Sequence, residues 1–434
     1  MMSLKRLLIG FAGLVVLGLL AFFVLAYEPA IAPITPPPAA SFPADLVARG
    51  EALAGGGYCT NCHTAKGWGA FAGGYAMQTP FGVIYSTNIT PDPQTDIGTW
   101  SEAAFARAMR DGVARDGSYL FPAFPYTHFT KLSDDDVQAL YAYLMTRAPV
   151  QAPPQTNGLP FPLNMRVLQA GWRLLFFHPG RFQPDPARDA AWNRGAYLAQ
   201  GLSHCGACHT PRNFLGAEKD DDRYAGAPVD EWIAPPLTAA NPAPTPWTQG
   251  ELHAFLRTGV SVLHGTAAGP MTPVVHGLST VPDEDVQAIA AYFATIDRAA
   301  ERQAGADAAV ARAMSYASLG TGNTVDADAR LYTSACASCH YNAGKLPLAA
   351  RPDLALNTAL SLPEPTNLIQ VVLRGIGSHE GISGVVMPGF APGFTDSDVA
   401  RIAAYLRRTR TSLPPWTDLD QTIASVRRQI DAAR

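Results

Sequence analysis

Six cysteines, all held in three copies of one pentapeptide, limit what this 434-residue chain can fold into. The copies are Cys59-Thr60-Asn61-Cys62-His63, Cys205-Gly206-Ala207-Cys208-His209 and Cys336-Ala337-Ser338-Cys339-His340. No cysteine remains outside them for a disulfide framework. On a helix, two thiols at this spacing lie about one turn apart. Each can form a thioether with a haem vinyl group, and the adjacent histidine then reaches the iron; C-x-x-C-H is the attachment signature of haem c. Two other readings of paired cysteines are weaker. A zinc site takes four ligands, commonly from a second Cys or His pair, and none follows any copy at short range. A thioredoxin-like dithiol needs a βαβ setting and would not recur three times with a following histidine. The motifs therefore predict three covalently bound haem c groups. Cys59, Cys62, Cys205, Cys208, Cys336 and Cys339 attach them, and His63, His209 and His340 are the proximal ligands.

The surroundings of the motifs repeat as well. A short helical run precedes each: Arg49-Gly50-Glu51-Ala52-Leu53, Arg194-Gly195-Ala196-Tyr197-Leu198 and Arg330-Leu331-Tyr332. A middle segment ends in Arg110-Asp111-Gly112-Val113, Arg257-Thr258-Gly259-Val260 or Arg374-Gly375-Ile376. In the first two copies Trp100-Ser101 and Trp247-Thr248 open this segment, with the hydroxyl placed to cap a helix. Closing helices begin near Asp136-Val137, Asp285-Val286 and Asp398-Val399, with apolar residues at i, i+3, i+4 and i+7. Acidic residues crowd each first turn, where the helix dipole favours them. The expected fold class is all-α: three tandem class I c-type cytochrome domains with long loops, preceded by one N-terminal transmembrane helix. The expected boundaries are an anchor or signal over 1–30, a Pro-rich tether over 31–44, domains over 45–150, 191–300 and 327–410, linkers over 151–190 and 301–326, and a tail over 411–434. The first linker carries an apolar patch from Val167 to Phe182, expected to pack between domains. The tail from Asp418 reads as an amphipathic helix.

Leu7 to Ala26 is uncharged and long enough to span a bilayer. Lys5 and Arg6 precede it, which keeps that end cytoplasmic and sends the body to the periplasm. The expectation is an anchor in the inner membrane; a cleaved signal ending at Val24-Leu25-Ala26 is the rival. A net charge of −4 gives no basis for nucleic-acid binding.

The sixth iron ligand sets the chemistry. A methionine thioether raises the potential and closes the iron to small ligands. The place to look is the loop before each closing helix. There stand Met387, in Val386-Met387-Pro388-Gly389-Phe390, and Met271, in Gly269-Pro270-Met271-Thr272. The first copy has Phe124 at this place, in Pro122-Ala123-Phe124-Pro125-Tyr126-Thr127-His128. Phenylalanine cannot ligate iron. His128 is the leading substitute, Met109 reads as helix core, and Met77 lies in the loop after the first motif; an open position is the other reading. His178, His204, His253, His264, His276 and His379 have no such placement, although His204 and His264 are expected near the second haem, within contact of it.

Three phrases carry a resemblance: Thr79-Pro80-Phe81-Gly82-Val83-Ile84-Tyr85-Ser86-Thr87-Asn88-Ile89-Thr90-Pro91-Asp92, Leu120-Phe121-Pro122-Ala123-Phe124-Pro125-Tyr126, and His204-Cys205-Gly206-Ala207-Cys208-His209-Thr210-Pro211-Arg212-Asn213. The chain resembles the triple-haem cytochrome c subunits of membrane-bound bacterial dehydrogenases for alcohols, gluconate and related sugars, aldehydes and N-heterocycles. The resemblance implies an electron-transfer subunit whose substrate-oxidising site lies on another subunit, and it assigns no catalytic residue to this chain. It implies a dehydrogenase catalytic subunit as partner, a small iron–sulfur subunit as a further candidate, and membrane ubiquinone as acceptor. The sugar and alcohol subunits carry Met where Phe124 stands. The Phe form followed by His is more similar to subunits paired with molybdenum hydroxylases. The alternative implied by the resemblance is the cytochrome subunit of a quinoprotein alcohol or flavoprotein sugar-acid dehydrogenase; a haem peroxidase and a gas sensor are weaker readings, since either needs an open iron and only the first motif offers one.

Overall fold

The computed structural model describes residues 4–318, 326–341, 352–378, 380 and 384–432; His379 lies outside them. The chain divides into two compact units, residues 1–54 with 59–183, and residues 184–434 with 55–58.

The first unit begins with α1 (Leu4–Leu25), whose segment Leu8–Leu25 is long and apolar enough to cross a membrane. The Pro-rich stretch after it is not a loose tether. Ile31 N–H donates to Arg115 O, and the Arg115 guanidinium donates back to Ile31 O at 3.2 Å. Ile34 N–H donates to Thr99 O, and the Arg107 guanidinium to Pro29 O at 2.6 Å. Then come α2 (Ala44–Gly56) and α3 (Cys59–His63), the latter formed by the first motif itself. An antiparallel ribbon follows, β1 (Ala76–Thr79) on β2 (Gly82–Tyr85), with Met77 opposite Ile84. Met77 is thus a strand residue and not part of an irregular loop. Helix α4 (Glu102–Asp111) starts at Ser101, whose hydroxyl accepts Ala104 N–H at 3.2 Å, and stops at Gly112, whose φ of 63° ends the helix. The short α5 (Tyr126–Phe129) leads to α6 (Asp134–Met145), capped by Ser133. Val137, Leu140 and Leu144 of α6 are buried, on the face the periodicity predicted. Met109 is buried on α4, as expected of a core residue.

The apolar patch of the first linker departs from the interdomain role expected for it. It forms α7 (Gln169–Phe176) and packs inside the first unit, Trp172 and Phe177 edge-on to Tyr126 with ring centroids 6.4 and 5.2 Å away. Val167 and Ala170 meet Ala26, Val113 and Tyr119.

In the second unit α8 (Ala190–Tyr197) precedes α9 (Gly206–His209), the second motif. A ribbon of β3 (Ala227–Val229) and β4 (Trp232–Ala234) follows, then α10 (Gln249–Thr258), capped by Thr248 and ended by Gly259 at φ 79°. A small ribbon, β5 (Val260–Ser261) on β6 (Gly265–Thr266), leads to α11 (Met271–Leu278) and α12 (Asp283–Ile296). Helices α13 (Ala299–Arg302) and α14 (Ala306–Ser318) occupy most of the expected second linker. Helix α15 (Ala327–Ala335) leads to α16 (Ala337–His340), which carries the third motif's histidine. The rest comprises α17 (Thr358–Ser361), α18 (Thr366–Arg374), α19 (Asp396–Arg410) and α20 (Leu419–Ala432). The tail is accounted for: Ile423 and Val426 of α20 are buried in one core with Tyr332, Ile369, Leu373 and Ile402. The fold is helix-rich, as expected, but among the described residues three two-stranded ribbons interrupt it. An all-α reading misses them because strands of two to four residues leave too short an alternation to read.

Candidate haem-attachment sites

Each motif places its histidine at the end of a helical turn and ties it in the same way. His63 Nδ1 donates to Thr87 O at 2.7 Å, His209 Nδ1 to Pro235 O at 2.7 Å, and His340 Nδ1 to Pro352 O at 3.2 Å. A carbonyl can only accept, so the proton sits on Nδ1 and Nε2 keeps its lone pair for a metal. Desolvation lowers the pKa of all three imidazoles, and the carbonyl bond only partly opposes it. They are therefore neutral, as a ligand must be. The accepting carbonyls come from the segments just after β2 and β4 in the first two sites. The ribbons thus have a purpose. They hold the imidazole plane; sequence reasoning registered β2 only within a family phrase and did not register β3 or β4 at all.

No disulfide joins any of the six cysteines. Burial, aided by the second thiol of each pair, pushes Cys59 and Cys205 up to about 12 and Cys336 to about 11. A redox dithiol needs a depressed pKa, so this setting does not suit thiolate chemistry. Two thiols one turn apart beside an oriented, neutral imidazole fit a haem held by thioethers.

The sixth-ligand candidates sit in related but unequal places. After α4 and α10 the chain folds back on itself, Val113 bridging Tyr119 and Val260 pairing with Thr266. Phe124 and Met271 each stand five residues beyond that partner, so the structure gives them the same address. Met271 is the first residue of α11, directly after Pro270, not a loop residue as expected. Met387 lies in the bridge itself, exchanging backbone hydrogen bonds with Ile376 at 2.9 and 3.0 Å. Both methionines are half-buried. Phe124 packs edge-on to Phe129 at 5.4 Å, and His128 is buried on α5. Of the other histidines, His253 pairs with Asp283 at 2.8 Å and His264 stacks on Trp247 at 3.7 Å. Both are engaged structurally.

A family model described as cytochrome c matches residues 47–148, and one described as cytochrome c oxidase, cbb3-type, subunit III matches 323–406. The chain is 39% identical to the gluconate 2-dehydrogenase cytochrome c subunit of Pantoea cypripedii, over 88% of this chain and 90% of that one. It is 38% identical to the fructose dehydrogenase cytochrome subunit of Gluconobacter japonicus, over 86% and 81%. The chain belongs to the cytochrome c subunits of membrane-bound dehydrogenases. This cytochrome subunit is also 48% identical to a nicotinate dehydrogenase subunit of Pseudomonas putida across 95% of its own length, although it spans only 34% of that protein. Membership makes it an electron-transfer subunit carrying covalent haem c, with a dehydrogenase catalytic subunit as its partner.

Proposed function

We propose that the subunit carries three haem c groups in three tandem cytochrome domains and passes electrons from a periplasmic dehydrogenase to membrane ubiquinone. The carrying observation is the threefold recurrence of a C-x-x-C-H turn with its histidine Nδ1 tied to a backbone carbonyl. Each bound haem would supply a one-electron couple. The protein's part is to fix each proximal imidazole and to offer a sixth ligand: Met271 for the second haem, Met387 for the third and His128 for the first. The favoured partner is a molybdenum-dependent aldehyde or N-heterocycle dehydrogenase, with a small iron–sulfur subunit. Phe124 in place of Met supports this, as does the 48% identity to a nicotinate dehydrogenase subunit. A quinoprotein or flavoprotein partner is the alternative, favoured by the fructose, gluconate and alcohol dehydrogenase relatives. The apolar α1 supports attachment to the inner membrane with the body in the periplasm.

The test is a haem count by alkaline pyridine spectrum and intact mass on the purified chain, followed by reduction of ubiquinone-1 by the complex. Three haems and quinone reduction are expected. Two haems would overturn the three-domain reading. Prompt CO binding with peroxide turnover would favour an enzyme or sensor at the first haem.

A further inference from the structure

Three polar atoms in one corner of the first unit are buried without a hydrogen-bond partner: Tyr126 Oη, Arg173 Nη1 and Gln169 Oε1. Each such atom forgoes its hydration without a replacement partner and calls for an explanation. Tyr126 has no solvent exposure at all. Gln169 and Arg173 are four residues apart on α7 and so share a face. The Arg173 guanidinium lies over the rings of Tyr119, Tyr126 and Phe177, 5.2, 5.8 and 4.8 Å from their centroids. The surrounding wall is therefore aromatic, with two donors and one acceptor set into it. None of the three atoms contributes to the haem-attachment turns.

The corner also adjoins the membrane segment. Phe22 and Ala26, at the end of α1, pack with Val113, Tyr119, Val167 and Ala170, and Gly171 approaches Phe22. Leu174 and Leu175, on the same helix as the Arg173 donor, are 81% and 63% exposed. On the other side, Tyr126 lies two residues from both Phe124 and His128, in the segment assigned to the first haem.

We propose that this corner binds the headgroup of a membrane quinone; the inference rests on the quinone-acceptor reading above. A quinone ring presents a flat face for aromatic walls and two carbonyl oxygens that only accept. Arg173 Nη1 and Tyr126 Oη supply the donors. The reduced form carries two hydroxyls, and Gln169 Oε1 accepts from one. Reduction takes two electrons, delivered by the dehydrogenase through the haems, and two protons from periplasmic water. The apolar tail leaves along α1 and the exposed leucines into the bilayer.

The test photolabels the intact complex with an azido-ubiquinone and maps the adduct by mass spectrometry. Alongside it, the ubiquinone-1 KM is measured for Tyr126→Phe and Arg173→Lys, referenced to turnover with ferricyanide. Adducts within 119–129 and 169–177 are expected, with KM raised about tenfold in each variant, the size of one lost buried hydrogen bond. Labels elsewhere and unchanged KM values, in a complex that reduces quinone, would overturn the site and leave the quinone reading standing. A complex that reduces ferricyanide but never ubiquinone would overturn that reading itself. A label from a photoactivatable phospholipid instead would assign the donors to a lipid headgroup and overturn the proposal. So would a shifted potential of the first haem in Tyr126→Phe with quinone kinetics unchanged.

Discussion

Arg194 grips Asp285 with two parallel hydrogen bonds, Nε to Oδ1 and Nη2 to Oδ2, each 2.7 Å long. The pair ties α8, which leads into the second motif, to the first turn of the closing helix α12. The neighbouring Gly195 sets how close the two helices come: a Cβ there would stand 1.9 Å from Ala288 O. The first motif repeats the device, with Arg49 on Asp136 at 2.6 Å and Gly50 against Ala139 O. The third reverses it. Leu331 replaces the glycine, and the ion pair runs from Asp328 on α15 to Arg401 on α19 at 2.8 Å.

Gly195→Ala is expected to destabilise the second unit by about 3 kcal/mol, the upper range for forcing atoms into a packed site. Thermal unfolding of the haem-loaded protein reads this directly. An unchanged midpoint would mean that α8 and α12 do not cross as closely as described.

The Arg194–Asp285 pair is expected to couple by about 1 kcal/mol in a double-mutant cycle built from Arg194→Gln and Asp285→Asn. Denaturant unfolding of the four proteins gives the coupling. Purely additive losses would show that the pair contributes geometry without net energy.

His264 has a pKa pushed down to about 3, chiefly by burial; its hydrogen bond to Pro246 O opposes this, and Arg302 adds a smaller depression. Its folded pKa thus lies below its unfolded one, so folded protein binds the proton less tightly. This contribution is full above about pH 6.5 and is lost as pH falls towards 3. Asp297 opposes it, since burial raises that carboxyl to about 6 and favours the folded state at lower pH. His264→Phe, which preserves a ring against Trp247, is expected to flatten the acid loss of stability between about pH 6 and 4. Parallel pH profiles for variant and parent would refute the assignment.

If the proposed three haems are present, their environments are expected to respond differently to ligand substitution. Met271→Ala and Met387→Ala should each lower one haem potential and open that iron to CO. Phe124→Met, at the address that Met271 occupies after α10, should raise the potential of the first haem. Redox titration of each variant, with CO difference spectra, distinguishes the sites. Were Met271→Ala to leave all three potentials in place, the second haem would need a different ligand.

Much of this was legible in the residues. The motifs, the capped middle helices and the closing helices with buried Val137, Val286 and Val399 stood at the expected positions, because helical periodicity and capping are local. The ribbons were not legible, nor was the α7 patch, whose partners Ala26, Tyr119 and Tyr126 lie far away in the chain.

What the sequence alone determined is where attachment chemistry is to be sought. Cysteine spacing and the adjoining histidine need only one helical turn to act, so the three C-x-x-C-H strings at Cys59, Cys205 and Cys336 could be proposed as attachment sites without a fold. Only the tertiary structure decided how those groups are held and what lies beside them. The carbonyls of Thr87, Pro235 and Pro352 reach their histidines from 12 to 26 residues away. Tyr126 meets Arg173 from a different helix, with α6 and a long loop between them in the chain. Such meetings depend on chain packing between distant segments, which leaves no periodic mark in either segment.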